Sequence, residues 1–109
     1  MSFEEYNRES SKSLIYPNDF TTPMYLALGV NGESGELGEK VKKVYRDNGG
    51  IFNDKHREEI KKEIGDVLWY LNQLSENLGF TLESASELNL IKIQDRMKRD
   101  LIRGTGDNR

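Results

Sequence analysis

The sequence predicts an all-α protein of four helices, and three observations support this prediction. Apolar residues recur at intervals of three and four, prolines and glycine pairs divide the chain into segments, and no segment alternates apolar and polar residues as a strand would. A chain of 109 residues has the size of one domain. We therefore expect a single domain over 1–109, with a mobile tail over 103–109.

The first two helices are bounded by proline and glycine. Helix one is predicted over 2–16 and ends before Pro17, because the residue before a proline avoids helical dihedral angles. Helix two is predicted over 21–47, with Thr22 as its N-cap, a proline at its first position and a glycine pair after its end.

The last two helices are marked by an apolar stripe and a threonine cap. Helix three is predicted over 55–79, where a glycine closes it. Its apolar residues form one stripe: Ile60, Ile64, Val67, Leu71, Leu74 and Leu78. Thr81 is predicted to cap helix four, over 82–103.

Composition limits the possible functions and partners. Hydrophobic content of 35% against 32% charged residues is low for an isolated bundle, so we expect a homo-oligomer, either a dimer or a tetramer. A net charge of −3 argues against binding to duplex nucleic acid, and the absence of cysteine excludes disulfides and thiolate metal sites. No signal peptide or membrane-spanning run is present, so we expect a cytoplasmic protein without a membrane partner.

Helix two carries two carboxylates on its apolar side. Glu33 falls where the apolar stripe should continue between Val30 and Leu37, and Glu36 follows one turn along. Glycines flank these acids at three positions, Gly29, Gly32 and Gly35. Since glycine costs a helix about 1 kcal/mol relative to alanine, we expect them to permit close helix approach or to leave space for a ligand.

Helix three repeats the arrangement with Glu63 and Asp66. The acids could be paired with Lys40, Lys43 and Lys62, or they could bind a divalent cation, and the residues alone leave both interpretations open. Oxygen ligands favour Mg²⁺, with Mn²⁺ as a substitute. A di-iron site is disfavoured because the only histidine lies in neither acid pair.

The segment "ESGELGE", followed by "KKEIGDVLWYL", resembles the ExxE…ExxD signature of the MazG-like family of all-α nucleoside triphosphate pyrophosphohydrolases. The resemblance runs from helix two to the tail. It implies a four-helix protomer of the all-α NTP pyrophosphatase type, in an oligomeric helical bundle whose site a second subunit completes. It also implies Mg²⁺-dependent hydrolysis of an NTP or dNTP to the monophosphate and pyrophosphate. One departure is Gly32, where many members have a further acid, whose role is missing here or supplied by Glu39.

The resemblance also implies roles for individual residues. The acids Glu33, Glu36, Glu63 and Asp66 would be the metal ligands and the catalytic residues. The phosphates would be bound by Asn89, Lys92 and Arg96 in helix four. Tyr70 would contact the base, whereas Trp69 is expected to be a packing residue.

Two alternative functions remain open at this stage. A phosphoribosyl-ATP pyrophosphohydrolase-like enzyme would differ in its substrate. A non-enzymatic helical assembly protein would use the acids for structural metal alone and would release no pyrophosphate from any nucleotide.

Overall fold

The computed structural model describes residues 1–15, 18–99 and 104–107. The described chain contains no strand and forms four helices: α1 is Phe3–Ser10, α2 is Thr22–Asn48, α3 is Asp54–Asn77 and α4 is Leu82–Lys98. The predicted all-α class with four helices is therefore confirmed. Within the described residues, no helix combines the length and the apolar character that crossing a membrane requires.

α1 ends earlier than the sequence predicts. The predicted extent over 2–16 is wrong, because the α-helix stops at Ser10 and a short 3-10 turn over Ser11–Ser13 follows it. The Ser11 hydroxyl donates to the carbonyl of Asn7 at 2.6 Å. Serine hydroxyls that bond to nearby carbonyls compete with the helical hydrogen bonds of the backbone, and this accounts for the early end. Tyr16 and Pro17 lie outside the described residues.

α2 and α3 form an antiparallel hairpin, which is the most extensive packing in the described chain. Gly49 ends α2 in the left-handed conformation, with a φ of 61° that favours glycine. α3 then begins after a capping box, in which Asn53 Oδ1 accepts from the backbone N–H of His56 at 2.8 Å and His56 Nδ1 accepts from that of Asn53 at 3.2 Å. Two capped helix ends thus fix the five-residue loop over 49–53.

The remaining helix boundaries differ from prediction by small amounts. α2 begins at Thr22 itself, so the predicted N-cap at Thr22 is wrong by one residue and Thr21 takes that position. Thr81 caps α4 as predicted, with its hydroxyl accepting from the N–H of Ser84 at 3.0 Å. α4 ends at Lys98, and the predicted continuation over 100–103 lies outside the described residues. The tail predicted to be mobile lies partly outside them too.

The hydrophobic core of the described protomer is small. Only Leu26 and Val44 are buried apolar residues there. The predicted core-facing stripe of α3 is half open, with Ile64 52% exposed and Leu78 53% exposed. The radius of gyration is 16.8 Å, whereas a compact chain of this length has about 13 Å. The described chain therefore leaves apolar side chains of α3 and α4 exposed, among them Ile64 and Ile91.

Candidate active site

Three carboxylates from α2 and α3 meet at the centre of the hairpin. Glu33 and Glu36 come from α2 and Glu63 comes from α3, and one oxygen of each lies within 4.8 Å of the others. The ExxE spacing places the first two on one side of α2, and the antiparallel packing brings α3 alongside at the same level. The structure therefore brings together three of the four acids that the sequence singles out.

Asp66 lies at the edge of this group. It is exposed and is not one of the three residues whose oxygens lie within 4.8 Å of one another. Its charge nevertheless helps to raise the pKa of Glu33. It also contributes to the raised pKa of Tyr6, for which burial is the larger cause. Tyr6 of α1 thus lies near Asp66, a position that the sequence does not suggest because α1 carries no recognisable motif.

Two oxygens of the acid cluster are buried without a hydrogen-bond partner. They are Oε2 of Glu33 and Oε2 of Glu63. Among the described residues, no lysine pairs with the acids: Lys42 pairs instead with Glu39 at 2.9 Å, and Lys40 and Lys43 line a separate cavity. Since a buried carboxylate oxygen without a partner is costly, the geometry favours a compensating cation over the salt-bridge interpretation. Hard oxygen donors without nitrogen or sulfur fit Mg²⁺ or Mn²⁺.

The raised pKa of Glu33 also favours a compensating cation. Burial raises the pKa of the Glu33 carboxyl, and the negative charges of Glu36, Asp66 and Glu63 raise it further. A carboxyl in this position is relieved either by a proton or by a divalent cation.

Gly29 permits a close contact between the two helices of the hairpin. A Cβ atom at this position would overlap the ring of Tyr70 on α3. The Tyr70 ring packs edge-on against Trp69, with centroids 4.9 Å apart. Of the two roles predicted for the glycines, Gly29 therefore serves close helix approach. Apart from adjacent residues and the backbone of α2 itself, no described atom lies within 4 Å of a Cβ at Gly32 or Gly35, so neither glycine serves a close helix contact in the described chain.

A polar seam holds α1 and its 3-10 turn against α3. Trp69 Nε1 donates to Ser13 Oγ at 2.8 Å, in keeping with its predicted packing role. Asn72 and Gln73 are almost completely buried, and their side-chain amides donate to Asn7 and Ser10 at distances of 3.0 to 3.2 Å. No sequence signal distinguishes these amides from ordinary exposed ones, because their burial depends on where α1 docks.

The predicted phosphate-binding residues on α4 form a second group. Asn89 and Lys92 line a groove of about 640 Å³ with Phe80 and Leu88. Arg96 is buried, at 8% exposure, and both it and Lys92 pair with Asp107 in the tail. Within the described part of the protomer, no hydrogen bond or ion pair joins this group to the acid cluster.

Comparison with known proteins gives a consistent result. The sequence model of the MazG nucleotide pyrophosphohydrolase domain matches residues 21–100 of the chain. The Gene 37 protein of Mycobacterium phage L5 is 37% identical over 114 aligned residues, covering all of both chains. No solved structure matches the chain.

Proposed function

Since the chain belongs to the MazG nucleotide pyrophosphohydrolase family, we propose that it is a Mg²⁺-dependent enzyme that cleaves an NTP or dNTP to the monophosphate and pyrophosphate. The family is metal-dependent in general. The observation that supports the proposal most strongly is the cluster of Glu33, Glu36 and Glu63, with two buried and unpartnered oxygens.

The metal would be held by these three carboxylates together with Asp66, and Mn²⁺ could replace Mg²⁺. When bound, the metal supplies Lewis acidity at the phosphoryl group and neutralises the charge of the triphosphate. Without such compensation, the acidic pocket and the substrate would repel each other.

The reaction is a displacement at the α-phosphorus: the water oxygen forms a bond to this phosphorus, the bond to the oxygen that bridges the α- and β-phosphorus breaks, and that oxygen leaves with pyrophosphate. Glu33 is our candidate for the group that orients the water and accepts its proton, since it is half-buried and since burial and three neighbouring acids raise the pKa of its carboxyl. Water labelled with ¹⁸O tests this step. The label should appear in the nucleoside monophosphate and not in pyrophosphate, whereas label in pyrophosphate would contradict attack at the α-phosphorus.

Substrate binding would be divided between two groups of residues. Asn89, Lys92 and Arg96 would bind the phosphates, with the two cations matching phosphate oxygens in charge. Tyr70 would contact the base through the part of its ring that Trp69 and Gly29 leave free. Because the two groups are not in contact in the described protomer, we propose that the site is completed in a homo-oligomer, either a dimer or a tetramer.

The proposed function is tested by incubating the protein with a panel of canonical and modified NTPs and dNTPs and Mg²⁺, and measuring pyrophosphate. Phosphoribosyl-ATP belongs in the panel, because preference for it would favour the alternative enzyme. Glu36→Gln should be inactive, while Glu58→Gln, which changes an exposed acid of α3, should retain activity. No pyrophosphate from any nucleotide would favour the non-enzymatic alternative.

A further inference from the structure

The tail contacts the two cations that the proposed function assigns to phosphate. Asp107 Oδ1 accepts from Lys92 Nζ at 3.0 Å and from Arg96 Nη2 at 3.3 Å. The backbone carbonyl of Asp107 also accepts from Arg96 Nη2, at 3.2 Å. One tail residue therefore bridges both cations of α4.

The two partners of the Arg96–Asp107 contact differ in their exposure to solvent. The Arg96 side chain is 10% exposed, whereas the Asp107 side chain is 79% exposed. The guanidinium is thus held in place by its surroundings, and its carboxylate partner lies at the surface, where water or another anion can replace it. The neighbouring Lys92 is partly exposed, at 34%.

The donors of Arg96 that reach the tail are already used. A guanidinium nitrogen of the Nη type has two N–H groups, and both acceptors of Arg96 Nη2 belong to Asp107. A phosphate oxygen that accepts from this nitrogen therefore has to compete with Asp107. The carboxylate charge would also repel an approaching triphosphate.

Asp107 carries a negative charge under ordinary conditions. Its hydrogen bond and ion pair with Lys92, followed by those with Arg96, lower the pKa of its carboxyl. A second described acid of this region, Asp95, pairs with Arg99 within α4 at 2.7 Å. Asp107 is therefore the acid that occupies the Lys92–Arg96 pair in the described chain.

We propose that Asp107 is an internal competitor of the substrate: its carboxylate occupies the Lys92–Arg96 pair in place of a phosphate group, and substrate binding displaces it. The proposal rests on the proposed function only in taking Lys92 and Arg96 as the phosphate-binding cations. The tail then lowers the affinity for nucleotide and for free pyrophosphate alike.

The test uses inorganic tripolyphosphate as the probe, with EDTA present so that neither metal binding nor hydrolysis contributes. Calorimetry on the full chain compares wild type with Asp107→Asn. Because an exposed ion pair is weak, we expect Asp107→Asn to bind the probe about two- to fivefold more tightly. Asp107→Glu, which keeps the carboxylate, should bind as wild type does.

Asp95→Asn is the matched control, since it removes the same charge from the same region but leaves the Lys92–Arg96 pair untouched. It should bind tripolyphosphate as wild type does. An equal gain in both variants would show a general charge effect and overturn the proposal. Unchanged or weaker binding by Asp107→Asn would also overturn it, as would absence of probe binding by either protein.

The binding experiment can be interpreted whether or not the protein is an enzyme. If Asp107→Asn binds tripolyphosphate more tightly but the protein releases no pyrophosphate, the displacement of Asp107 by a polyphosphate is supported and the proposed enzymatic activity is contradicted. In an active protein, the same variant should show a lower KM for the nucleotide. A KM that does not fall, in an active enzyme, would contradict the competitor alone.

Discussion

At the residue scale, Glu33 combines burial with like charge. Its Oε2 atom is buried without a partner, and three neighbouring carboxylates raise its pKa. Such a group is unfavourable in the folded protein when ionised and free of metal. The acid cluster therefore lowers the stability of the folded protein as long as neither a proton nor a cation neutralises its charge.

The first prediction separates stability from activity. Glu36→Gln keeps the shape of the side chain but removes one metal-binding charge, so hydrolysis should fall about 100-fold or more. Without metal, the variant should be more stable than wild type, by about 0.5–2 kcal/mol, because repulsion within the cluster is relieved. Thermal unfolding in EDTA and pyrophosphate release measure the two effects. Wild-type activity with wild-type Mg²⁺ affinity would refute the carboxylate site.

The second prediction concerns pH. Because the folded protein raises the pKa of Glu33 above its ordinary value of 4.5, protonated Glu33 contributes stability that is fully present below 4.5 and lost as pH rises through the folded pKa. Glu33→Gln should remove this loss. The gain in Tm of the variant over wild type in EDTA should therefore grow with pH, and saturating Mg²⁺ should reduce or reverse it.

Comparing the two proteins at each pH isolates Glu33 from other acids. Asp19, Glu39, Asp47 and Asp107 have lowered pKa values, so their contributions act in the opposite direction and are lost as pH falls. These four contributions to stability are the same in wild type and in Glu33→Gln, so they cancel in the comparison. If the difference in Tm between Glu33→Gln and wild type stays constant as pH rises from 4.5, Glu33 does not have the raised pKa described here.

At the scale of helices, the contact between Gly29 and Tyr70 sets how closely α2 and α3 pack beside the acids. A methyl group at Gly29 would overlap the Tyr70 ring, so either the ring or the helix has to move. Such overpacking would shift α2 relative to α3 and so change the distance between the carboxylates of Glu33 and Glu63. The glycine therefore supports the site through the geometry of the hairpin.

The third prediction follows from this contact. Gly29→Ala should destabilise the protein by about 1–3 kcal/mol, because the cost of overpacking exceeds the gain in helix propensity. Gly38→Ala is the control, since open space surrounds that position, and it should stabilise by about 0.5–1 kcal/mol. Urea unfolding at matched protein concentration measures both. Equal effects of the two substitutions would show that the Tyr70 contact is unimportant.

The sequence predicts those helical features that depend on local chemistry. The Thr81 cap, the glycine end of α2 and the acid spacings are read from neighbouring residues, and the structure has each of them. The early end of α1 depends on competition between serine hydroxyls and the backbone, which the pattern of apolar residues does not reveal. The burial of Gln73 and the pairing of Asp107 depend on tertiary contacts between distant segments.

At the scale of the whole molecule, the uncovered apolar faces favour association. The most exposed apolar side chains of α4 include Leu88, Ile91 and Met97, each more than 60% exposed. Leu88 and Ile91 are three residues apart and therefore neighbours on the surface of α4. Neighbouring exposed apolar residues are typical of a surface that a second copy covers. Lys92 and Arg96 of α4 do not contact the acid cluster within the described chain, and this separation also favours association with a second copy.

The fourth prediction tests this association. Sedimentation at micromolar concentration should show an oligomer, and Ile91→Lys should shift it towards monomer, because burying the added charge is unfavourable. Hydrolysis should fall in parallel. Gln94→Lys, which adds the same charge at a polar and exposed position of α4, should leave both unchanged. A fully active wild-type monomer would contradict the shared site.

The most direct test of the central claim is a Mg²⁺ titration of pyrophosphate release, using the preferred nucleotide with wild type and Glu63→Gln. We expect no release in EDTA, saturable activation of wild type by Mg²⁺, and about 100-fold or greater loss in Glu63→Gln, with the helical circular dichroism spectrum retained. Mg²⁺-independent release, or equal activation of wild type and variant, would contradict the claim that this acid cluster is the metal centre of a nucleotide pyrophosphohydrolase.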